Sequence, residues 1–318
     1  MGLKKQLLFI SLFFAAASTL AAPALLQLDD SQTQLNLVEH MSSLRLDAAV
    51  PLDPDALWDA PADPQLIQEP RWRLAYNERM AGRITLKGGK EPGYYVIEVP
   101  ASSVDDVRLW QRESGGMWKS AVAGDTVPLS LWPFAAQYPG FLVVVRDLPV
   151  DVIVTAANSG PLRVVVSISP DAQFRESRTR SANLSGLIMG LGAMVGIVCL
   201  LGAVTVRTRV HWLLAGVAGW MLFTAAALNG YLAVWFTPEA AVFNDSAKNF
   251  VGVMLGGLTV ALIADALDAR SLRRGERMVA LAMLVGCVLW SCAQALWLPL
   301  SWRSEERRVG KECLRLCR

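Results

Sequence analysis

The segment at residues 183–206, NLSGLIMGLGAMVGIVCLLGAVTV, marks the point where the character of this chain changes. It contains no charged side chain, and it exceeds the roughly 20 apolar residues that a helix needs to cross about 30 Å of bilayer hydrocarbon. The whole chain of 318 residues is 53% hydrophobic and only 18% charged, which is too apolar for an ordinary soluble protein. The sequence therefore predicts a membrane protein.

Further apolar segments follow, and together they predict a polytopic bundle of four transmembrane helices, at residues 183–206, 212–236, 249–267 and 278–300. Cytoplasmic loops carry an excess of Lys and Arg, and the loops after the first and third predicted helices are basic. The intervening loop carries Glu239 and Asp245 against Lys248. These charges place everything before residue 183 outside the cytoplasm. Three arginines on the outer side of the first helix contradict the rule, namely Arg175, Arg178 and Arg180.

The N-terminal segment explains how the preceding part would be exported in spite of those arginines. Residues 1–21 combine Lys4 and Lys5 with a short apolar run and then small residues, which is the pattern of a secretory signal peptide. The alternative is an uncleaved signal anchor, but the apolar run is short for a membrane span. We predict cleavage near Ala21.

Residues 22–180 are predicted to form an extracytoplasmic domain of the jelly-roll or β-sandwich class, so that the fold class is β plus membrane α. Short runs rich in Val, Ile and aromatic residues, at residues 93–100, 104–112, 140–148, 151–158 and 161–169, predict strands. Turn signals such as Gly115-Gly116 and Gly124-Asp125 separate them. The Pro- and Asp-rich residues 50–65 are interpreted as a connection or an edge rather than a helix.

The composition excludes several function classes. The histidines, His40 and His211, are far apart, and no paired carboxylates, phosphate loop or nucleophile elbow occurs, so we expect neither an enzyme nor a cofactor or metal site. Residues 23–180 contain no cysteine and so no disulfide framework. A net charge of +2, spread over both signs, gives no reason to expect nucleic-acid binding.

Aromatic side chains are the candidate ligand-binding residues of the β-domain. Flat rings stack on sugars, so an exposed aromatic surface would favour a carbohydrate ligand. The candidates are Trp118, Trp72, Tyr76 and Tyr138, and the alternative for each is a place in the hydrophobic core. In the helices, small-residue spacings such as Gly186 with Gly190 would allow close packing, either within one bundle or in a homodimer.

The order of parts and the turn pattern of residues 93–145 resemble a known family. Val104–Trp110, Gly124-Asp125, Pro128 and Phe141–Val145 are similar to the extracytoplasmic module of bacterial seven-transmembrane receptors with diverse intracellular signalling modules (7TMR-DISM). Tyr94-Tyr95 depart from the family, where many members carry Trp followed by Arg. The resemblance implies a sensor domain, a bundle of seven helices, of which four are present here, and a cytoplasmic output module such as a diguanylate cyclase or histidine kinase.

The C-terminal residues 303–318 fit neither the family nor the charge rule. Arg303 to Cys313 resemble the translation of a widely used sequencing adapter, from which we expect this chain to be a fragment whose native sequence after Trp302 is replaced. The functional alternatives are a polybasic lipid-binding patch or a metal clip at Cys313 and Cys317.

Together these observations predict a multi-pass protein of the bacterial inner membrane whose N-terminal domain lies in the periplasm. Its expected partners are membrane lipid and an extracytoplasmic small molecule or carbohydrate, with a second copy of the chain as a further candidate. The alternative function is a membrane-anchored accessory protein whose β-domain binds another protein. A transporter is disfavoured because ionisable residues within the apolar segments are scarce.

Overall fold

The computed structural model describes residues 24–29, 34–48, 50–63, 66, 69–75, 78–113 and 115–266, and the single positions 278, 279, 282, 285, 286 and 289. The predicted signal peptide, the C-terminal tail and nearly all of the fourth predicted membrane helix lie outside these residues.

Strands dominate the N-terminal part of the chain. They are β1 Leu25–Gln27, β2 Leu35–Asn36, β3 Ser42–Asp47, β4 Trp72–Leu74, β5 Glu78–Lys87, β6 Gly93–Glu98, β7 Asp106–Glu113, β8 Lys119–Ala123, β9 Gly140–Val145, β10 Val150–Ala157, β11 Leu162–Val164 and β12 Ser167–Pro170. The larger sheet has the order β1-β5-β10-β7-β8, and β3 also pairs with β5. The smaller sheet has the order β2-β12-β6-β9, and β11 pairs with β4 alone. Each segment predicted to be a strand overlaps at least one of these strands.

The two larger sheets enclose one hydrophobic core, which makes the domain a β-sandwich. Alternate residues of a strand point to opposite faces, so Val150, Val152 and Val154 of β10 turn inward together. Phe141 and Val143 of β9 reach the same core from the smaller sheet. Burial of these apolar side chains is the main force that holds the sheets together.

The central strand β5 was not predicted, because two arginines interrupt its apolar pattern. Arg83 is 2% exposed, and its guanidinium donates to the carbonyl oxygens of Leu57 and Trp58. Arg79 pairs with Asp106 at 3.0 Å. Both charges therefore have partners that allow a long strand to run through the middle of the larger sheet.

A short helix, α1 (Pro54–Asp59), corrects the interpretation of residues 50–65 as a connection or edge. Asp53 is its N-cap and accepts a hydrogen bond from the Asp55 amide, and Pro54 fits the first turn because no intrahelical bond is needed there. Leu57 packs with Trp110 on the outer face of the larger sheet and forms a second, smaller core. Prolines and aspartates thus start the helix instead of preventing it.

Helices follow the sandwich. They are α2 Asp171–Val206, α3 Arg209–Leu228, α4 Tyr231–Trp235 and α5 Ala241–Ala266. Of the described helices, α2 and α3 are long and apolar enough to cross a bilayer, and α5 contains a shorter apolar stretch at Phe250–Ile263. The predicted span 183–206 lies within α2, and the predicted span 249–267 overlaps α5. A bundle of four membrane helices is therefore not established by the described residues.

The predicted span 212–236 is divided into two helices. Gly230 has a φ of 77°, in the left-handed region that glycine adopts readily, and it separates α3 from α4. Helix α3 packs against both α2 and α5, and Trp220 Nε1 donates to the Val251 carbonyl oxygen at 2.8 Å. A Cβ on Gly192 would lie 3.2 Å from Leu222, whereas one on Gly186 or Gly190 would meet no atom within 4 Å. Of these three glycines, only Gly192 marks a close approach between the described helices.

Candidate functional site

The sandwich passes directly into the helices, because β12 ends at Pro170 and α2 begins at Asp171. The first turns of α2 lie on the smaller sheet, where Phe174 is 8% exposed and its ring centroid is 6.1 Å from that of Phe134. With a rise of 1.5 Å per residue, α2 is about 54 Å long. A single rigid element therefore connects the sandwich to the apolar segment.

Arg178 fastens this helix to the sandwich. Its Nη2 lies 2.7 Å from Glu98 Oε1 and 3.3 Å from the Tyr138 carbonyl oxygen, and its guanidinium lies 5.1 Å from the centre of the Tyr138 ring. Burial raises the pKa of the Glu98 carboxyl, and Arg178 partly offsets that effect. Burial likewise raises the pKa of Tyr138. Arg175 pairs with Asp171 on the same helix at 2.9 Å. Two of the three arginines that contradict the charge rule thus have structural partners outside the apolar segment.

A second contact links the sandwich to α5. Lys248 Nζ lies 2.6 Å from Asp125 Oδ2 and donates to the Ser102 carbonyl oxygen at 2.6 Å. The side chains of Lys248 and Asp125 are only 11% and 7% exposed. Because a buried charge is stable only when it is paired, each of these groups depends on the other.

Asp105 lies beside this ion pair. The Ser159 amide donates to Asp105 Oδ2, and the Asp125 amide donates to the Val104 carbonyl oxygen at 2.9 Å. Burial raises the pKa of Asp105, while the hydrogen bonds and Lys248 partly offset that effect. The backbone at Gly124 has a φ of 143°, and a Cβ there would lie 2.2 Å from the Asp105 carbonyl oxygen. Glycine is therefore required for the turn that presents Asp125 to Lys248.

The connection from α3 to α5 also contacts the sandwich. Ser102 Oγ donates to the Leu228 carbonyl oxygen at 2.7 Å, the Leu129 amide donates to the Pro238 carbonyl oxygen at 2.9 Å, and Ser130 Oγ donates to Glu239 at 3.0 Å. The cavity at this contact has a volume of about 30 Å³, which is room for about one water molecule. The sandwich is contacted by residues 174–178, 228–239 and 248, and we name this set of contacts the junction. It is packed too tightly to hold a ligand.

The opposite end of the sandwich is open. A groove of about 450 Å³ lies between the β7–β8 hairpin and the edge strand β9. We name it the distal groove, and it is lined by Gln111, Arg112, Glu113, Gly116, Met117, Lys119, Val144, Arg146 and Val150. Strand β7 begins at Asp106, next to the junction, and ends at Glu113 in the groove, so the two sites are roughly 25 Å apart along one strand.

The predicted ligand-binding residues do not form one aromatic surface. Trp72 is 1% exposed and its Nε1 donates to Ser43 Oγ at 3.0 Å, so it belongs to the core and offers nothing to a ligand from solvent. Trp118 is half-buried: it contacts Trp58, with ring centroids 5.7 Å apart, and its Nε1 donates to Asp55. Tyr138 lies at the junction beside Arg178. Tyr76 lies outside the described residues.

Sequence reasoning missed both the junction and the groove. Gly124-Asp125 was noted only as a turn, and Lys248 only as a loop charge, since the contact that joins them spans 123 positions. The position of Lys248 against the sandwich does agree with the charge-based expectation that its loop lies on the sandwich side. Among the described residues, no group of three or more His, Cys, Asp or Glu could hold a metal ion.

Comparison with known proteins identifies part of the sandwich. Residues 82–169, from within β5 to β12, match the model of the family described as 7TMR-DISM extracellular 2. The match confirms the predicted resemblance of the sandwich to the extracytoplasmic module of that family. The matched residues make up a little over a quarter of the chain.

The other comparisons add little. No curated protein matches the chain. Among solved structures, TmCBM61 in complex with β-1,4-galactotriose is 8% identical and the match covers 41% of this chain and 83% of that one, with a TM-score of 0.21. A likeness this weak says nothing about fold or ligand.

Proposed function

We propose that this chain is the sensory and transmembrane portion of a bacterial signal-transduction receptor of the inner membrane, with the sandwich in the periplasm. The sandwich binds an extracytoplasmic small molecule, with carbohydrates among the candidate classes. The helices pass the change to a cytoplasmic output module, such as a diguanylate cyclase or histidine kinase. The role of the portion described here is non-catalytic.

The observation that carries the proposal is the junction. An anchor needs one tether, whereas here the sandwich is fastened to α2 through Arg178 and Glu98 and to α5 through Lys248 and Asp125. These helices are separated in sequence by α3 and α4, and both pack against α3. A change in the sandwich that alters one contact relative to the other would move the helices against each other.

The mechanism we propose is a shift between two populations. Ligand binds one conformation of the sandwich more tightly, and that conformation favours one arrangement of α2 and α5. A tenfold change in the ratio of the two populations requires about 1.4 kcal/mol of differential affinity for the ligand. Ion pairs in a poorly hydrated junction are suited to this task because small displacements change their energy considerably.

The alternative, an accessory protein whose sandwich binds another protein, is supported by one observation. The outer face of the smaller sheet leaves apolar surface in solvent: Tyr94 is 55% exposed and Leu142 is 39% exposed. Exposed apolar patches often mark sites of protein contact.

Photo-crosslinking in intact cells discriminates between the two functions. A photoreactive side chain at Tyr94 should capture no constant protein partner if the chain is a receptor, and deleting residues 22–180 from the complete gene should change second-messenger level or phosphorylation. Capture of one partner in constant yield, with no change in either output after the deletion, would contradict the receptor function. A photoreactive side chain at exposed Arg163, on β11, serves as the matched control.

A further inference from the structure

The distal groove has the size and position of a ligand site. Its volume of about 450 Å³ lies within the roughly 300–1,000 Å³ of typical small-molecule pockets. Strand β9 is the last strand of the smaller sheet, and the groove is lined by residues of β7 and β8 on one side and of β9 on the other. The groove is therefore built by the sandwich itself and not by the helices.

Two of the three cationic side chains that line the groove form no ion pair with a described residue. Lys119 and Arg146 line the groove and are exposed, and neither forms an ion pair with any described residue. Arg112 is already engaged, because its guanidinium contacts Asp55 and Asp151, each at 3.1 Å, and lies 4.2 Å from the centre of the Trp118 ring. Glu113 brings one negative charge to the groove.

Apolar side chains complete the lining. Val144 and Val150 also line the groove, and Met117 is 89% exposed. Methionine adapts its shape to different apolar surfaces, which suits a residue at the mouth of a binding site. The pattern of two available cations around apolar side chains fits an occupant that has both a negative group and an apolar surface.

We infer that the distal groove is the ligand site of the sandwich and that it binds a small carboxylate with an apolar portion, held by Lys119 and Arg146. The inference rests on the proposed sensing function and deepens it. A carboxylate can receive hydrogen bonds from both cations, and such charge-assisted bonds are the strong ones. Strand β7 then leads from the groove to Asp105 and Asp106 beside the junction.

Binding to the full chain in lipid nanodiscs tests the inference by isothermal titration calorimetry. The probes are two matched pairs: phenylacetate with phenylacetamide, and galacturonate with galactose. We expect at least one carboxylate to bind with a Kd at least about tenfold below that of its neutral counterpart. Higher ionic strength should weaken the binding further because the interaction is between charges.

The variant Lys119→Gln with Arg146→Gln removes both charges and keeps a polar side chain at each position. It should raise the Kd of the bound carboxylate at least about tenfold, while the control Arg163→Gln should leave it within about twofold. The inference is overturned if neither carboxylate binds at up to about 10 mM, if a neutral counterpart binds equally well, or if the double variant binds unchanged. The receptor proposal is tested separately by the distance between α2 and α5, which needs no ligand.

Discussion

The two ends of the sandwich use charged residues in opposite ways. At the junction, Lys248 and Asp125 are nearly buried and paired at 2.6 Å, around a cavity that holds about one water molecule. In the distal groove, Lys119 and Arg146 are exposed and have no ion-pair partner among the described residues. The charged groups at the junction therefore have a structural role, because removing one leaves the other buried and unpaired. The two exposed cations of the groove are free to bind a ligand.

Two glycines provide the sharpest test of this contrast. Gly124→Ala at the junction should destabilise the protein by about 4 kcal/mol, because its Cβ would lie 2.2 Å from a backbone oxygen. Gly115→Ala in the distal hairpin should cost only about 1 kcal/mol, since its φ is 77° but no atom lies within 4 Å. Urea unfolding in detergent measures both. Equal losses would remove the distinction between a tight and an open end.

The second largest effect is expected for Lys248→Met. This substitution leaves Asp125 buried without its cation, and we expect a loss of about 3 kcal/mol in the free energy of unfolding. The control is Lys87→Met, which removes a surface ion pair with Asp147 at 3.7 Å and should cost less than about 1 kcal/mol. Hydrogen exchange should also increase in residues 102–132 of the Lys248→Met protein only. A loss no larger than that of the control would show that the junction contact contributes little.

Acidification should stabilise the junction moderately. Burial raises the pKa of Asp105 and of Glu98, so the folded state binds their protons more tightly than the unfolded state. Stability from these groups is therefore fully present below the ordinary carboxyl pKa and is lost as pH rises through the raised pKa. Between pH 7 and pH 5 the unfolding midpoint in urea should rise. The variant Asp105→Asn with Glu98→Gln should show a smaller rise, and an identical rise in both proteins would contradict this origin.

The smallest effect on stability is expected in the groove. Lys119→Gln combined with Arg146→Gln should change the free energy of unfolding by no more than about 0.5 kcal/mol, because exposed side chains without ion-pair partners contribute little to folding. The same urea titration measures it. A loss of 2 kcal/mol or more, comparable with that of a core substitution, would mean that these cations support the fold and are not reserved for a ligand.

The parts of the fold that follow from local pattern could be predicted. Short runs rich in Val, Ile and aromatic residues predicted β9 and β10, and the long apolar run predicted residues 183–206 of α2. Strand β5 was missed because Arg83 is buried in it, and only the distant carbonyl oxygens of Leu57 and Trp58 make that burial possible. Local patterns do not contain such partners.

The candidate site depended even more on long-range contacts. Trp72 and Trp118 are the same residue type, yet Trp72 is buried in the core and Trp118 packs against Arg112 at the surface. From the sequence alone, Lys248 is an ordinary loop charge, and only the fold brings it into contact with Asp125. The family match confirms the resemblance stated for the sandwich, whereas the residues that connect the sandwich to the helices emerged only from the structure.

The distance between the ends of α2 and α5 that lie away from the sandwich tests the central claim, that the junction couples the sandwich to the arrangement of the helices. Spin labels at exposed Val206 and Ile263, in a cysteine-free background in nanodiscs, report this distance by double electron–electron resonance. We predict that Lys248→Met and Arg178→Met shift the distance by about 2 Å or broaden its distribution, while Lys87→Met leaves it unchanged. The same distribution in all four proteins, wild type included, would contradict the claim.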